Sequence, residues 1–596
     1  MAGLPPQIPS SLQIYDSYTV DPEWQLKFTT IWCTALGVAI VVSLPTFVRS
    51  LRNGRSLKGF FGVSECLGKG GYAAVAREDI PPPRPRPKRG AEAIWHSIAS
   101  VRHWTLPYVG LNILQMSIIL AYLAVVLLCV IKDAPLISNP NRAGFLAVAQ
   151  IPIVFLFATK NSILSLLLGP GNGYEKLNYI HRMSGRLMFL SACIHGSLWI
   201  RNHLQYGLPI IGQQKETSGV ATLAVLGIIV LTSLRPVRRL FYQVFFVVHV
   251  LTFVAFFVTV RYHTLYAAPW IFPALAFFGA DAFLRFLRYR IKDAKLSAPD
   301  QLMTLVHVQD CDDGWLAGQH VQLRVFFSNR AFESHPFTIL SGPPNRSCFN
   351  HSGMILAARV NGDWTRELNA YTRNEQDPSV CVSEKQSGGE RSCVPVHVMI
   401  DGPYGGSSVD LGQYETVLLV AGGSGATFTI GLLDDIVFRC IKAGRRHGER
   451  TRRIEFVWYI RSFGHIAWFA EMLTEIAILA AGTSLDIHFS IFVTCLCDPE
   501  AVPFIPNSDV KLDRPPVYTL LCETAGLSRP SSLESAVAEE DKPFSAAQPH
   551  AGGGVAVCAS GPESLVVETR NAVARLGVGN ALKLGGVVVH VESFAL

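Results

Sequence analysis

Tyr179-Ile-His181-Arg-Met-Ser-Gly-Arg186-Leu-Met-Phe-Leu-Ser-Ala-Cys-Ile-His195-Gly196 and Phe246-Val-Val-His249-Val-Leu-Thr-Phe-Val-Ala-Phe-Phe-Val-Thr-Val-Arg-Tyr-His263 are two apolar stretches, each with two histidines fourteen positions apart. At about 100° per residue, a step of fourteen returns to within about 40° of its starting direction, so each pair shares one helix face. The same step rises roughly 21 Å, most of a bilayer core of about 30 Å. Two such helices set side by side offer two stacked pairs of imidazoles at two membrane depths. That spacing suits two haems, with His181, His195, His249 and His263 as axial iron ligands.

The rest of the chain separates into two halves. Its 596 residues exceed one domain, and 49% of them are hydrophobic against 16% charged. The apolar runs concentrate before Tyr289, which predicts a membrane half followed by a soluble half. The net charge of +7 does not point to nucleic acid, because the basic residues gather beside the apolar runs. Of the 13 cysteines, none falls in a segment expected on the extracellular side, so no structural disulfide is expected. No Cys-x-x-Cys occurs, which excludes covalent haem attachment through that motif. Met1 to Lys27 lacks the form of a cleavable signal peptide.

About seven spans are expected, near 28–48, 106–131, 144–168, 180–200, 218–234, 240–261 and 268–289. The loop from Arg49 to Trp104 is strongly basic, Arg235, Arg238 and Arg239 follow the fifth span, and Arg285, Arg288, Arg290 and Lys292 close the seventh. The positive-inside rule then puts the N-terminus outside and everything beyond the seventh span in the cytoplasm. Pro81 to Arg89 reads as an extended, solvated linker.

Beyond Ile291, short turn-punctuated runs such as Leu302–Val308, Val321–Phe326 and Phe337–Leu340 suit a small antiparallel barrel. From Glu415 onward strand and helix alternate, which predicts a parallel sheet with helices on both faces. Polar insertions at Thr372–Ser392 and Thr524–Gly552 read as loops. On the barrel, His335-Pro-Phe-Thr338 offers a flavin an aromatic neighbour (Phe337), a hydroxyl (Thr338) and a donor (His335), and Gly362-Asp-Trp-Thr365 adds a turn with phosphate donors. Ala421-Gly-Gly-Ser-Gly-Ala-Thr427 follows an apolar strand and opens a helix, where close backbone approach and the helix N-terminus favour a pyrophosphate. Arg461, just beyond a strand, can grip the 2′-phosphate that separates NADPH from NADH.

In order along the chain stand His335-Pro-Phe-Thr338, Asp401-Gly-Pro-Tyr-Gly405, Ala421-Gly-Gly-Ser-Gly-Ala-Thr427, Cys558-Ala-Ser-Gly-Pro562 and Glu592-Ser-Phe-Ala-Leu596. With the paired histidines, this set resembles the fungal ferric reductase (ferric-chelate reductase transmembrane component) family, relatives of NADPH oxidase, over about 105–596. The resemblance implies an α-helical transmembrane bundle followed by a cytosolic ferredoxin-NADP-reductase-like module, an antiparallel β-barrel FAD domain plus an α/β parallel-sheet NADPH domain. The expected division is 1–27 an extracellular segment; 28–104 the first transmembrane helix and basic loop; 105–292 the haem domain; 293–412 the FAD barrel; and 413–596 the NADPH domain with an insertion about 524–552.

By motif, the resemblance assigns His335, Pro336, Phe337, Thr338 and Thr365 to FAD. It assigns Gly402, Pro403, Gly422, Gly423, Gly425 and Thr427 to NADPH, with Cys558 and Gly561 near the nicotinamide. Phe594 looks like the terminal aromatic that covers the flavin, although two residues follow it here. The Cys558 motif also carries an extra residue before its Gly-Pro. Thr338, Cys558 and Phe594 are the candidates closest to the chemistry. The implied activity passes electrons from NADPH through FAD and two b-type haems to ferric, and also cupric, chelates outside the cell. A plasma-membrane location and a multicopper oxidase and iron permease as pathway partners come with it. Two other functions fit parts of the sequence: a superoxide-generating NADPH oxidase, and a transporter with a regulatory nucleotide-binding tail.

Overall fold

The computed structural model of the chain describes residues 15–55, 58–65, 90–106, 109–161, 163–169, 171–328, 330–376, 393–495, 502–527 and 552–593. Phe594, the proline-rich run 81–89 and most of both polar insertions lie outside these residues. The chain divides into two compact units, one of Met1–Ser50 with Gln115–Leu284, the other of Leu51–Leu114 with Arg285–Ala595.

The first unit is helical. In chain order the helices are α1 (Ser17–Arg52), α2 (Gly90–Val101, part of the second unit), α3 (Ile113–Ile131), α4 (Asn141–Ala149), α5 (Ile151–Leu156), α6 (Ile163–Leu167), α7 (Tyr174–Gln205), α8 (Gln214–Thr232), α9 (Arg235–Leu240), α10 (Tyr242–His263) and α11 (Ala268–Arg288). Among the described residues, five helical segments are long and apolar enough to cross a membrane, containing α1, α3, α8, α10 and α11. α7 is longer than a bilayer core requires, but His181, Arg182, Arg186 and His195 lower its hydropathy. The expected third span is broken into α4, α5 and α6, with Pro152 at the start of α5 and a polar Thr159-Lys-Asn161 turn before α6. α1 begins at Ser17, well before the expected span at 28, and contains Pro22 and Pro45.

The second unit is built on two sheets. Six antiparallel strands, β1 (Arg290–Ser297), β2 (Met303–Val308), β3 (Gln319–Val325), β4 (His335–Thr338), β5 (Met354–Arg359) and β6 (Val394–Gly405), lie in the order β4-β3-β6-β1-β2-β5. A bridge between Ile339 and Leu356 joins the two edges, so the sheet closes on itself. Leu296, Val306, Val321, Leu323 and Val398 alternate inward with Trp315 to fill it. α12 (Asp363–Gln376) follows β5, so the residues from Thr372 to Gln376, expected as loop, complete a helix.

The remaining strands are β7 (Thr416–Gly422), β8 (Arg453–Ile460), β9 (Asp486–Val493), β10 (Ser508–Lys511), β11 (Val555–Gly561) and β12 (Val587–Ser593). The helices among them are α13 (Ala426–Val437), α14 (Ala470–Ala480), α15 (Val517–Thr524), α16 (Glu563–Arg575) and α17 (Gly577–Lys583). All six strands are parallel, in the order β10-β9-β8-β7-β11-β12. β7 and β11 are buried along nearly their whole length, as strands covered on both faces must be. The chain winds outward from β7 to β10 and then returns to β11 on the other side, so strand order reverses between β7 and β11.

The basic loop after α1 is not a free linker where it is described. Ser64 bridges to Asp313, Lys58 pairs with Asp313 at 2.6 Å, Arg55 with Asp410 at 3.0 Å, and Lys292 reaches Glu65. Further on, α2 packs beside β12, and Thr105 exchanges hydrogen bonds with Asn571 of α16, donating at 2.7 Å and accepting at 3.2 Å. The described parts of this basic stretch thus belong to the second unit, while the run 81–89, expected as a solvated linker, lies outside the described residues.

Candidate redox centres

The four histidines occupy two facing helices. His181 and His249 have ring centroids 6.3 Å apart with planes at 69°, and His195 and His263 are 6.1 Å apart at 61°. Two imidazoles sharing one metal ion through bonds of about 2 Å, with their ring half-widths added, stand about 6 Å apart centre to centre. The spacing therefore fits one iron atom between each pair.

The second ring nitrogens are engaged. His181 Nδ1 lies 2.9 Å from the Val154 carbonyl, His195 Nδ1 3.0 Å from that of Pro140, and His263 Nδ1 2.8 Å from that of Lys215. His249 Nδ1 is 3.3 Å from Ser233 Oγ, whose own proton goes to Ile229 O at 2.6 Å. A carbonyl can only accept, so these contacts place a proton on Nδ1 and leave Nε2 as the coordinating nitrogen. Helix α8 comes within one methyl of the His195 and His263 pair, because a Cβ on Gly219 would lie 2.7 Å from the His263 ring. A Cβ on Gly144 of α4 would be 3.0 Å from His195. The residues present fit haem at both levels.

In the soluble unit the glycine turn sits at the reversal between β7 and β11, where open parallel sheets bind ligands beyond their strand ends. Gly423 takes φ +57°, and Trp458 Nε1 donates to its carbonyl at 2.9 Å. A Cβ on Gly425 would be 2.1 Å from Ser560 O, and one on Gly422 would be 2.9 Å from Pro562 Cδ. The two turns that the sequence picked out separately, 421–427 and 558–562, thus back onto each other, and their glycines permit it. Thr427 donates to Ser424 O at 3.0 Å and so tightens the start of α13.

Cys558 lies inside β11, fully buried, with Sγ 4.0 Å from Ser407 Oγ. Two residues on, Ser560 is also fully buried and abuts the glycine turn, and its hydroxyl has no hydrogen-bond partner among the described residues. Arg461 follows β8, and Arg359, at the end of β5, reaches within 3.1 Å of where a Gly423 Cβ would stand. Burial and the Arg461 charge lower the Arg359 pKa, and burial and Arg359 lower that of His465, as expected of cations crowded together. An anion at this turn would relieve that crowding. Sequence reasoning missed Arg359, which belongs to no motif, and passed over Ser560 within the Cys558–Pro562 motif; only the folded sheets bring both to the glycines.

On the barrel, β4 and the start of α12 come together. His335 lies 4.5 Å from Trp364 between ring centres, and Phe337 is 5.8 Å from the same indole. Pro336 is exposed, while Phe337 and Thr338 are half-buried. Burial lowers the His335 pKa, and Glu333 at 3.3 Å opposes this. Thr365 is already committed: its Oγ1 accepts from the Asn361 and Gly362 N–H groups at 2.9 and 3.0 Å, which shapes the helix entry. Gly402 and Pro403 lie elsewhere, on β6, where Gly402 takes φ +138° and Pro403 packs against Gly59.

Three family models match the chain in succession: ferric reductase like transmembrane component over 143–260, FAD-binding domain over 287–408 and ferric reductase NAD binding domain over 414–502. Ferric reductase transmembrane component 3 of Saccharomyces cerevisiae is 27% identical over 73% of this chain and 58% of its own length. Ferric reductase transmembrane component 5 of the same yeast is 27% identical over 61% and 49%. Ferric/cupric reductase transmembrane component 2 of Schizosaccharomyces pombe is 23% identical over 80% and 86%. The chain thus spans about half the length of the two Saccharomyces relatives. Membrane, flavin and nucleotide segments are thus matched in one order along a single chain, the order in which the sequence resembles the ferric reductase family.

Proposed function

We propose that this protein takes electrons from NADPH on the cytosolic side of a membrane and delivers them to ferric chelates on the other. The observation that carries this reading is the double histidine pair, with centroid spacings of 6.3 and 6.1 Å and every Nδ1 hydrogen-bonded. Bound FAD would take a hydride's two electrons together, and bound haem would pass them singly. His181 with His249 and His195 with His263 would each hold a haem iron between two imidazoles, and the group so held would supply one-electron transfer. His335 and Phe337 would frame the flavin, Pro336 would keep that strand extended, and Thr338 would offer a hydroxyl to its reactive edge.

Gly422, Gly423, Gly425, Thr427 and Gly561 would let the backbone approach the dinucleotide phosphates, and Arg359 with Arg461 would supply charge for the 2′-phosphate. Ser560 is better situated than Cys558 to meet the nicotinamide. Gly402 and Pro403 would shape the barrel wall of the same module, and Phe594 would cover the flavin. Cupric chelates are a second acceptor class, as the Schizosaccharomyces relative's name has it for that protein. The reading places the N-terminus outside, at the plasma membrane, in reductive iron uptake alongside a multicopper oxidase and an iron permease.

A reduced-minus-oxidised spectrum of the purified protein tests the haem assignment, and absence of b-type bands would end it. Fe(II) trapping by intact cells, with and without superoxide dismutase, tests the acceptor. Trapping that the dismutase abolishes would make superoxide the product instead.

A further inference from the structure

α1 precedes every segment that the family models match, and most of its surface is exposed and apolar, as at Leu26 and Val41. Its buried residues are Ser17, Asp21, Gln25 and Phe28, spaced on one helix face. Three of these four are polar, which is costly in a membrane helix unless each is paired. Each is. Asn141 Nδ2 donates to Ser17 Oγ at 3.0 Å, Arg142 Nε to Asp21 Oδ1 at 2.5 Å, and Gln25 Nε2 to Phe145 O at 2.6 Å. Arg142 and Asp21 are both fully buried, and Arg142 also donates to Tyr15 Oη at 2.6 Å and to Cys129 O at 3.1 Å.

The stretch so pinned, 141–145, is the one that cradles His195. Pro140 O holds its Nδ1 at 3.0 Å, and Gly144 lies against its ring. Tyr18 of the same helix accepts a hydrogen bond at 3.4 Å from Lys215, whose carbonyl holds His263 Nδ1 at 2.8 Å. The anchors of the inner pair, Val154 and Ser233, stand on α5 and just after α8.

Resting on the haem reading above, we infer that α1 is a positioning element for the outer histidine pair, with the buried Asp21–Arg142 ion pair as its fastening. A buried ion pair is a poor source of stability but holds a geometry firmly, since displacing either partner strands a charge. Here the geometry held is the direction of the Pro140 carbonyl toward His195. A firm hydrogen bond at Nδ1 makes the imidazole a stronger donor to iron. Loosening it should favour the reduced state of the outer haem alone.

Redox titration of the b-type absorbance of the full-length protein tests this, with wild type, Asp21→Asn and the paired Asp21→Asn/Arg142→Gln variant. The paired variant removes both charges, so it strands neither. Its one-electron equilibrium should shift toward reduction at one haem by roughly tenfold, about 59 mV, with the other unmoved. Loss of one haem of two would support the proposal equally. Two haems with unchanged potentials, or both shifted or lost together, would overturn it. A wild-type protein without two b-type components would instead end the haem reading itself.

Discussion

At the scale of the residue, the pair of His195 and His263 depends on an absent side chain as much as on a present one. Gly219→Ala would drive a methyl to 2.7 Å from His263, closer than carbon atoms tolerate, at the same Nδ1 edge that Lys215 O already holds. The imidazole must turn, and on the proposed reading the haem held by His195 and His263 should be bound roughly 10–100-fold less tightly. Gly227→Ala, whose Cβ would meet Phe189 at an ordinary 4.0 Å, is the control. Haem-to-protein ratios measured after dialysis check this, and equal ratios in the two variants would refute the crowding argument. The histidines themselves were legible because a fourteen-residue step has a helical meaning. Their backbone acceptors were not, since any residue can present a carbonyl. Ser560 was hidden for a related reason: a serine is informative only once a sheet has set it, unpartnered, beside a glycine turn.

At the scale of the element, α13 ties the two candidate cofactor segments together. It starts on the glycine turn, and one turn later Gly431 lies against the carbonyls of Ile339 and Leu340, at the end of the His335 strand. Asp434 then accepts from Gly342 N at 2.7 Å and Cys348 N at 2.5 Å. Burial raises the Asp434 pKa to about 6, against the pull of those two donors. The folded state therefore holds this proton more tightly than the unfolded chain, whose carboxyl titrates near about 3.9. Its contribution to stability is full below about pH 4 and is lost as pH rises through about 6. The window spans about two pH units, so the effect is at most about 3 kcal/mol. Asp434→Asn should flatten the difference in melting temperature between pH 4 and pH 6, followed by flavin fluorescence of the full-length protein. An unchanged slope would assign that pH dependence to other groups.

Element boundaries were less legible than element types. α1 was expected to start at 28 because Asp21, Glu23 and Lys27 look like solvent-facing residues. Asp21 in fact turns inward to Arg142, while Glu23 and Lys27 stay outside as a loose pair at 3.9 Å. The third span was expected as one helix because its apolar residues run on past Pro152 and Asn161. Asn161 is instead fixed through its backbone N–H, which donates to Asp281 at 2.7 Å, a partner 120 residues away. Periodicity sees local order, and Asp21 and Asn161 answer to distant residues.

At the scale of the whole molecule, the order of parts was legible: apolar stretches, then an alternating barrel pattern, then strand–helix alternation. The membership of the basic loop was not, because Lys58, Arg55 and Thr105 acquire their meaning from Asp313, Asp410 and Asn571, far along the chain. The proposed direction of electron flow rests on loop charge, and it makes the two histidine pairs unequal. If the pair of His195 and His263 is the exit, His195→Leu removes one outer ligand and leaves the inner pair and the soluble unit intact. NADPH oxidation by a small cytosolic-side acceptor such as ferricyanide should then continue at the wild-type rate in inside-out vesicles, while Fe(II) formation on the opposite side falls to background. His181→Leu should also stop transfer across the membrane, but with the outer haem retained and left oxidised during turnover. The two variants are thus separated by the oxidation state of the haem that remains: reduced under NADPH in His195→Leu, oxidised in His181→Leu. The reverse assignment of inner and outer pairs predicts the opposite pattern, and persistent external reduction in His195→Leu would remove that pair from the path altogether.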